Sequence, residues 1–290
     1  MFDGTWKRLL ALPLILVIAT LAFAAACNDD DDGDDDSPTA TPTDAPGDID
    51  ISGVPELADG TLSIGSDIAY APFEFYEEGT ETADGVDVDL AKALAAALGV
   101  DAEFVNTGWD GIIPALQSED FDALMSAMTI TEDRSAEIDF VAYITVGTGI
   151  VVPTGNPDGI TGLDDLCGMT VAVQVGTIQL DLLEAQNDDC TDDIEIVIFD
   201  TNPLAVEDLR TGGSDANFSD FPVAAEDAAQ SDGDLEVVDT QIDPEPYGIG
   251  LRQGSTELKA VLEEALEAII DNGTYASVLA DWDLEGIALQ

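Results

Sequence analysis

From Thr61 onward, short runs of β-formers alternate with amphipathic helical stretches, and the whole alternation then happens a second time. Thr61 to Ser66 is β-rich. Val88 to Leu98 carries Leu90, Leu94 and Leu98 at helical spacing and stops at Gly99, and Ala102 to Asn106 returns to strand. Asp110 to Ser118 reads as a helix, with Pro114 near its first turn and Ile113 and Leu116 facing inward, followed by a strand from Ala123 to Met128. The second round begins beyond Val152. It has strand Thr170 to Val175, helix Thr177 to Gln186, strand Ile194 to Phe199, helix Pro203 to Arg210 and strand Asp215 to Ser219. Two βαβαβ units predict two α/β lobes. A last helix, Thr256 to Asn272, puts Leu258, Val261, Leu262, Ala265, Leu266, Ile269 and Ile270 on one face and stops at Gly273, so it must pack on a core. Periodicity does not say which lobe supplies that core.

Parallel sheets bind ligands beyond the carboxyl ends of their strands. Those ends carry Ser66-Asp67 and Ser126 to Thr129 in the first unit, and Gln174 to Ile178 and Asp220 in the second, which predicts a cleft between lobes. Charge then singles out one residue. The 290-residue chain has 7 Lys+Arg against 62 Asp+Glu, and Arg134 follows the strand end through Thr129-Ile130-Thr131-Glu132-Asp133. Thr131 reads as a helix N-cap with two acids in the first turn. Hydroxyls and free amides would face one side of a carboxylate while a planar guanidinium grips it bidentately, which lysine cannot do with the same specificity. The competing reading is an exposed helix residue paired with an acid. The four remaining cations beyond the N-terminal segment, Lys92, Arg210, Arg252 and Lys259, sit in helical or loop contexts that favour the surface.

The acidic balance excludes nucleic acid and anionic membrane surfaces as direct electrostatic partners. Self-repulsion at a formal charge of −55 must be screened, which points to a high-salt environment or at least to an acidic extracellular protein. With no histidine in the chain, a Cys/His zinc site is out, and no cofactor is expected. Lys7-Arg8 followed by the apolar run Leu9 to Ala26 is the pattern of an export signal. Small residues before Cys27 resemble a bacterial lipoprotein signal, with Cys27 lipidated, although Ala24 stands where leucine is usual; an uncleaved anchor is the other reading. Residues 28 to about 55 are Asp, Thr, Pro, Gly and Ser with little apolar content, a disordered acidic tether. Its Asp29-Asp30-Asp31-Asp32-Gly33-Asp34 run is not a calcium loop, because the position that requires glutamate is Thr39. Cys167 and Cys190 are then left as either a disulfide, natural outside the cytoplasm, or two buried thiols.

Several ordered motifs together resemble one family, the extracytoplasmic amino-acid-binding proteins of ABC importers, solute-binding protein family 3, of the glutamine, histidine and lysine/arginine/ornithine type. They are Gly65-Ser66-Asp67-Ile68-Ala69-Tyr70-Ala71-Pro72-Phe73-Glu74-Phe75, Gly85-Val86-Asp87-Val88-Asp89-Leu90, Trp109-Asp110-Gly111-Ile112-Ile113-Pro114-Ala115-Leu116 and Thr129 to Arg134. Val171-Ala172-Val173-Gln174-Val175-Gly176-Thr177, Asp215 to Pro222 and Tyr247-Gly248-Ile249-Gly250-Leu251 complete the set, which spans about Leu62 to Trp282. The chain departs from the family pattern at Val86, where phenylalanine is usual, and at Val141-Ala142, which replace a Ser-Asp-Pro.

The resemblance implies two doubly wound α/β lobes joined by a two-crossing hinge, the type II periplasmic-binding-protein fold, with the C-terminal helix returning to the first lobe. Residues 59–146 and 247–290 would form lobe one and 147–246 lobe two, after a signal at 1–26 and a tether at 27–58. It also implies roles. Arg134 would clamp the α-carboxylate of a free L-amino acid with Thr129 and the Ile178 amide. Asp220, with Ser126, would hold the α-ammonium, Ala127 would be a further ligand-binding residue, and Asp67, Tyr70 and Trp109 would enclose the side chain, with a polar or cationic one favoured. Cys167 and Cys190 match a subset that staples lobe two. The implied protein is a monomeric, membrane-tethered receptor, not an enzyme, that delivers its ligand to an ABC permease. A dehydratase-like enzyme on the same fold and a ligand-sensing module are the alternatives.

Overall fold

The computed structural model describes residues 49–238 and 241–289. The signal and tether segments, with Cys27, lie outside the described residues. In chain order the regular elements are β1 (Thr61–Ser66), β2 (Phe75–Tyr76), β3 (Ala83–Asp84), α1 (Val86–Leu98), β4 (Asp101–Asn106), α2 (Ile112–Gln117), β5 (Ala123–Leu124) and α3 (Glu132–Glu137). There follow β6 (Ile138–Pro153), β7 (Thr170–Gln174), α4 (Ile178–Asn187), β8 (Glu195–Phe199), α5 (Asn202–Arg210), β9 (Ala216–Asp220) and α6 (Phe221–Gln230). The chain closes with β10 (Leu235–Val237), β11 (Ile242–Arg252), α7 (Thr256–Asp271) and α8 (Thr274–Asp281).

Each half places its parallel strands as the crossover rule requires, β4-β1-β5 in one and β8-β7-β9 in the other. The halves are not separate sheets. Two long antiparallel strands, β6 and β11, run between them and give one order, β4-β1-β5-β11-β6-β9-β7-β8, with β10 added on β6. β6 pairs with β11 through Asp139–Leu251 at one end and with β9 through Val151–Asn217 at the other, so a single strand belongs to both lobes. The two α/β units joined by two crossings are as expected, and the crossings themselves are β6 and β11. Nearly every side chain from Ile138 to Val152 is shielded by packing on both faces, so β6 shows no apolar alternation by which a sequence would reveal it.

Two apolar cores form on either side of these crossings. One gathers Ile64, Leu90, Leu94, Tyr143 and Tyr247 together with Leu258, Leu262 and Ala265 of α7, which therefore returns to the first lobe. The other is built from Ile150, Val171, Val173, Leu183, Ala216 and Phe218. α1 starts where Gly85 adopts φ 131°, and a Cβ there would lie 2.1 Å from the Phe73 carbonyl oxygen. The close approach lets the Val86 and Asp87 amides donate to Pro72 and Phe73, at 3.0 Å each, so the 72–74 loop sits on the amino end of α1.

Cys167 and Cys190 are joined by a disulfide whose Cα atoms are 5.5 Å apart, tying the turn before β7 to the end of α4. Closing a loop over a separation of 23 residues restricts the unfolded chain, which is worth about 3 kcal/mol. Replacing both cysteines with serine is expected to lower the melting temperature by roughly 6–12 °C, at about 2–4 °C per kcal/mol for a chain of this size. Scanning calorimetry of that variant, and of the parent under reductant, checks it: the two shifts should coincide.

Candidate ligand-binding site

The elements above end at one place. Asp67 follows β1, Tyr70 stands on the loop to β2, Trp109 opens the turn before α2, and Ser126, Ala127 and Thr129 follow β5. Arg134 is on α3, Ile178 is the first residue of α4, and Asp220 is the last of β9. All nine line one cleft, contributed by both lobes.

Arg134 is held from below. Thr131 caps α3 as expected, its Oγ1 accepting the Arg134 amide at 3.2 Å. The Arg134 guanidinium donates to the Thr129 carbonyl at 2.8 Å and, across the cleft, to the Gly176 carbonyl at 3.2 Å, while its carbon lies 5.2 Å from the centre of the Trp109 ring. Trp109 Nε1 donates to that same Gly176 oxygen at 3.0 Å. Gly176 offers its carbonyl in this way with φ at 69°, a conformation side-chain-bearing residues avoid. Lys92, Arg210, Arg252 and Lys259 each have a carboxylate within 4.0 Å; among the described residues Arg134 has none. The structure therefore sets aside the reading of Arg134 as a surface ion-pair residue. Burial lowers its pKa somewhat, with Asp220 acting against the shift, and a guanidinium stays charged regardless. Arg252 also departs from expectation: it ends a strand, is half-buried, and bridges Glu56 and the Phe121 carbonyl.

Asp220 faces it from the second lobe and is buried. Its carboxylate accepts from Tyr70 Oη at 2.6 Å and from Gln179 Nε2 at 3.0 Å, and its own amide donates to Tyr70 Oη at 3.2 Å. Burial raises its pKa, while the hydrogen bonds from Tyr70 and Gln179 and the charge of Arg134 hold it down. Asp67, likewise raised by burial, accepts Gln174 Nε2 at 3.1 Å. The Tyr70–Asp220, Trp109–Gly176, Arg134–Gly176 and Asp67–Gln174 bonds all cross from one lobe to the other, so the cleft is closed in this structure.

The expected strand from Ala123 to Met128 stops at Leu124. Beyond it the backbone turns toward side chains. Ser66 Oγ donates to the Met125 carbonyl, and the Ala127 amide, on a residue at φ 47°, donates to Asp87 Oδ2 at 2.7 Å. Similarly, Asp110 to Ser118 is a 3₁₀ turn, Trp109–Gly111, before α2, and this turn aims the indole into the cleft.

Four further lining residues escaped the sequence reading of the site: Glu74, Gln174, Thr177 and Gln179. Gln174 and Thr177 were visible as polar residues at a strand end, and Glu74 lay inside a quoted motif. Gln179 had no signal, since a glutamine on a short helix looks solvent-facing until α4 packs against β6 and β9 of its own lobe. Thr177 Oγ1 caps α4 by accepting the Leu180 amide at 3.3 Å, leaving the Ile178 amide without an intrahelical partner at the cleft.

The family model "Bacterial extracellular solute-binding proteins, family 3" matches residues 62–285. The chain belongs to this family. Among curated relatives, the L-cystine-binding protein TcyJ of Escherichia coli K12 is 31% identical over 225 residues, covering 77% of this chain and 82% of the relative. Among solved structures, an ancestral arginine-binding protein bound to glutamine superposes with a TM-score of 0.72 at 37% identity, over 77% of this chain and 97% of that one. An ancestral amino acid-binding protein, a precursor of cyclohexadienyl dehydratase, gives 0.72 at 38% identity, over 80% and 98%. These family 3 relatives are binding proteins. In this member, among the described residues, no helix is long and apolar enough to cross a membrane.

Proposed function

We propose that the protein captures a free amino acid between its lobes and delivers it to the permease of an ABC importer. The observation that carries this is the pairing of a guanidinium unclaimed by any described carboxylate, on one lobe, with a buried carboxylate on the other, both lining one cleft. A zwitterion needs one of each, in a site dry enough that leaving either unpaired is costly. Arg134, Thr129 and the Ile178 amide hold the α-carboxylate; Asp220, Ser126 and Ala127 face the α-ammonium; Asp67, Tyr70 and Trp109 surround a polar or cationic side chain. Arginine, glutamine and cystine, bound by the relatives above, are the first ligands to try, with lysine and histidine. Ligand contact with both lobes favours the closed form, which the permease reads. Residues 59–146 with 247–290, and 147–246, are the two moving bodies, and Cys27 is the lipid anchor that keeps a monomeric receptor beside the membrane. Glu74 lines the cleft, but its carboxyl is tied to Ser126 and Asp87, which favours a binder over a dehydratase.

A thermal-shift screen of the purified protein against the common L-amino acids in high-salt buffer tests this. A true ligand at 100 times its Kd stabilises by about 2.7 kcal/mol, a shift of several degrees. No shift with any amino acid would overturn the reading.

A further inference from the structure

Glu74 is the cleft residue whose chemistry is least ordinary. It is 1% exposed, and the 72–74 loop that carries it is pinned to the amino end of α1, so its carboxyl meets that of Asp87. Glu74 Oε1 accepts from Ser126 Oγ at 2.6 Å, and Ser126 Oγ accepts from the Asp67 amide at 3.0 Å. Glu74 Oε2 is buried with no donor facing it. A carboxylate oxygen abandoned in this way would be expensive, and two ionised carboxyls side by side more so. A proton on one of them removes both costs.

The surroundings decide which. The single proton of Tyr143 Oη lies between both Asp87 oxygens, 2.7–2.8 Å from each, the Ala127 amide adds a 2.7 Å bond, and Asp87 stands in the first turn of α1, where the helix dipole favours an anion. Glu74 has one donor. We propose that Glu74 carries the proton, donates it from Oε2 to ionised Asp87, and so acts as an uncharged, specificity-determining wall of the cleft. The groups facing it are Asp87 from α1, Tyr143 from β6, Asp67 after β1 and Asp220 at the end of β9. Burial, and then the charge of Asp87, push Glu74 well above the usual carboxylate range; Asp87, raised by burial to about 7 and held down by its donors, is the more acidic partner.

The consequence is a charge count. With Glu74 neutral, the cleft and the wall behind it hold Asp67, Asp220 and Asp87 against Arg134, a net negative charge that favours a ligand of net positive charge. This rests on the amino-acid reading above and narrows it to L-arginine or L-lysine. The same proton fixes the Ser126–Ala127 wall, since Ser126 is held by Glu74 and Ala127 by Asp87.

The sign of the pH dependence follows. A carboxyl whose folded pKa is raised contributes stability that is fully present below its ordinary pKa and is lost as pH rises through the folded value. Glu74→Gln is the informative variant, because an amide accepts from Ser126 and donates to Asp87 as the neutral acid does. Infrared spectra of the full chain at pH 7, without ligand, should show the carbonyl stretch of a protonated carboxyl that disappears in Glu74→Gln. The melting temperature of the parent should fall more steeply than that of the variant as pH rises above about 5. The parent should prefer L-arginine to its uncharged isostere L-citrulline by tenfold or more. An unchanged carboxyl band in Glu74→Gln, equal melting slopes in parent and variant, or no preference for arginine over citrulline overturns the proposal. If the parent binds no amino acid, the functional reading falls, while the band and the melting slopes still decide the state of Glu74.

Discussion

Replacing Arg134 with lysine is expected to weaken capture of every amino acid ligand by a factor on the order of 10²–10³, because removing one partner of a desolvated ion pair costs about 3–5 kcal/mol. The ammonium keeps the charge but not the fork. In the structure the guanidinium reaches the Thr129 and Gly176 carbonyls while lying against Trp109, three contacts in fixed directions from one planar group. A lysine nitrogen reaches one of these at most and must shed a tighter hydration shell to do so. Titration calorimetry with the ligand found by screening checks the value. Affinity within threefold of the parent, in a variant with unchanged melting temperature, would show that the α-carboxylate is held elsewhere.

The second large effect separates the two carboxylates. Asp220→Asn keeps the shape and an acceptor for Tyr70 but removes the charge opposite the α-ammonium. Hydrogen bonds to charged groups are worth about 1.5–3 kcal/mol, so affinity for any amino acid should fall roughly 10- to 150-fold, whatever its side chain. Asp67→Asn should instead weaken only cationic ligands, leaving L-glutamine little changed. Calorimetry of both variants against L-arginine and L-glutamine provides four numbers. Equal losses across the two ligands in Asp67→Asn would remove Asp67 from side-chain recognition, and a selective loss in Asp220→Asn would remove it from the ammonium.

Much of the site was readable before any coordinates. Strand ends in an α/β chain carry the ligand groups, so Asp67, Ser126 and Asp220 stood out by position, and Arg134 by the scarcity of cations. The helix cap at Thr131 was readable too, because capping is local chemistry over three residues. What was not readable depended on partners far along the chain. β6 lacked alternation because packing shields it on both faces, and β11 because an exposed stretch, Asp243 to Pro246, runs straight into a buried one, Tyr247 to Leu251. The strand after Ala123 ended early because Ser66 and Asp87, 59 and 40 residues away, take its backbone groups. Gln179 entered the cleft only because α4 meets β9 there, and Glu74 met Asp87 only because Gly85 lets the loop sit on α1.

Taken alone, then, the order of residues determined the lobed α/β plan, the extreme acidity, and which few side chains stand where strands finish, since each of these follows from periodicity, composition or a contact between near neighbours. Tertiary structure decided the rest: that the two units share one sheet, that Arg134 is left without a described carboxylate while four other cations are paired, and that the buried carboxyls of Glu74 and Asp87 are neighbours. Those are facts about distance between groups remote in the chain, and burial, which sets the strength of every charge in the cleft, exists only once the chain has folded.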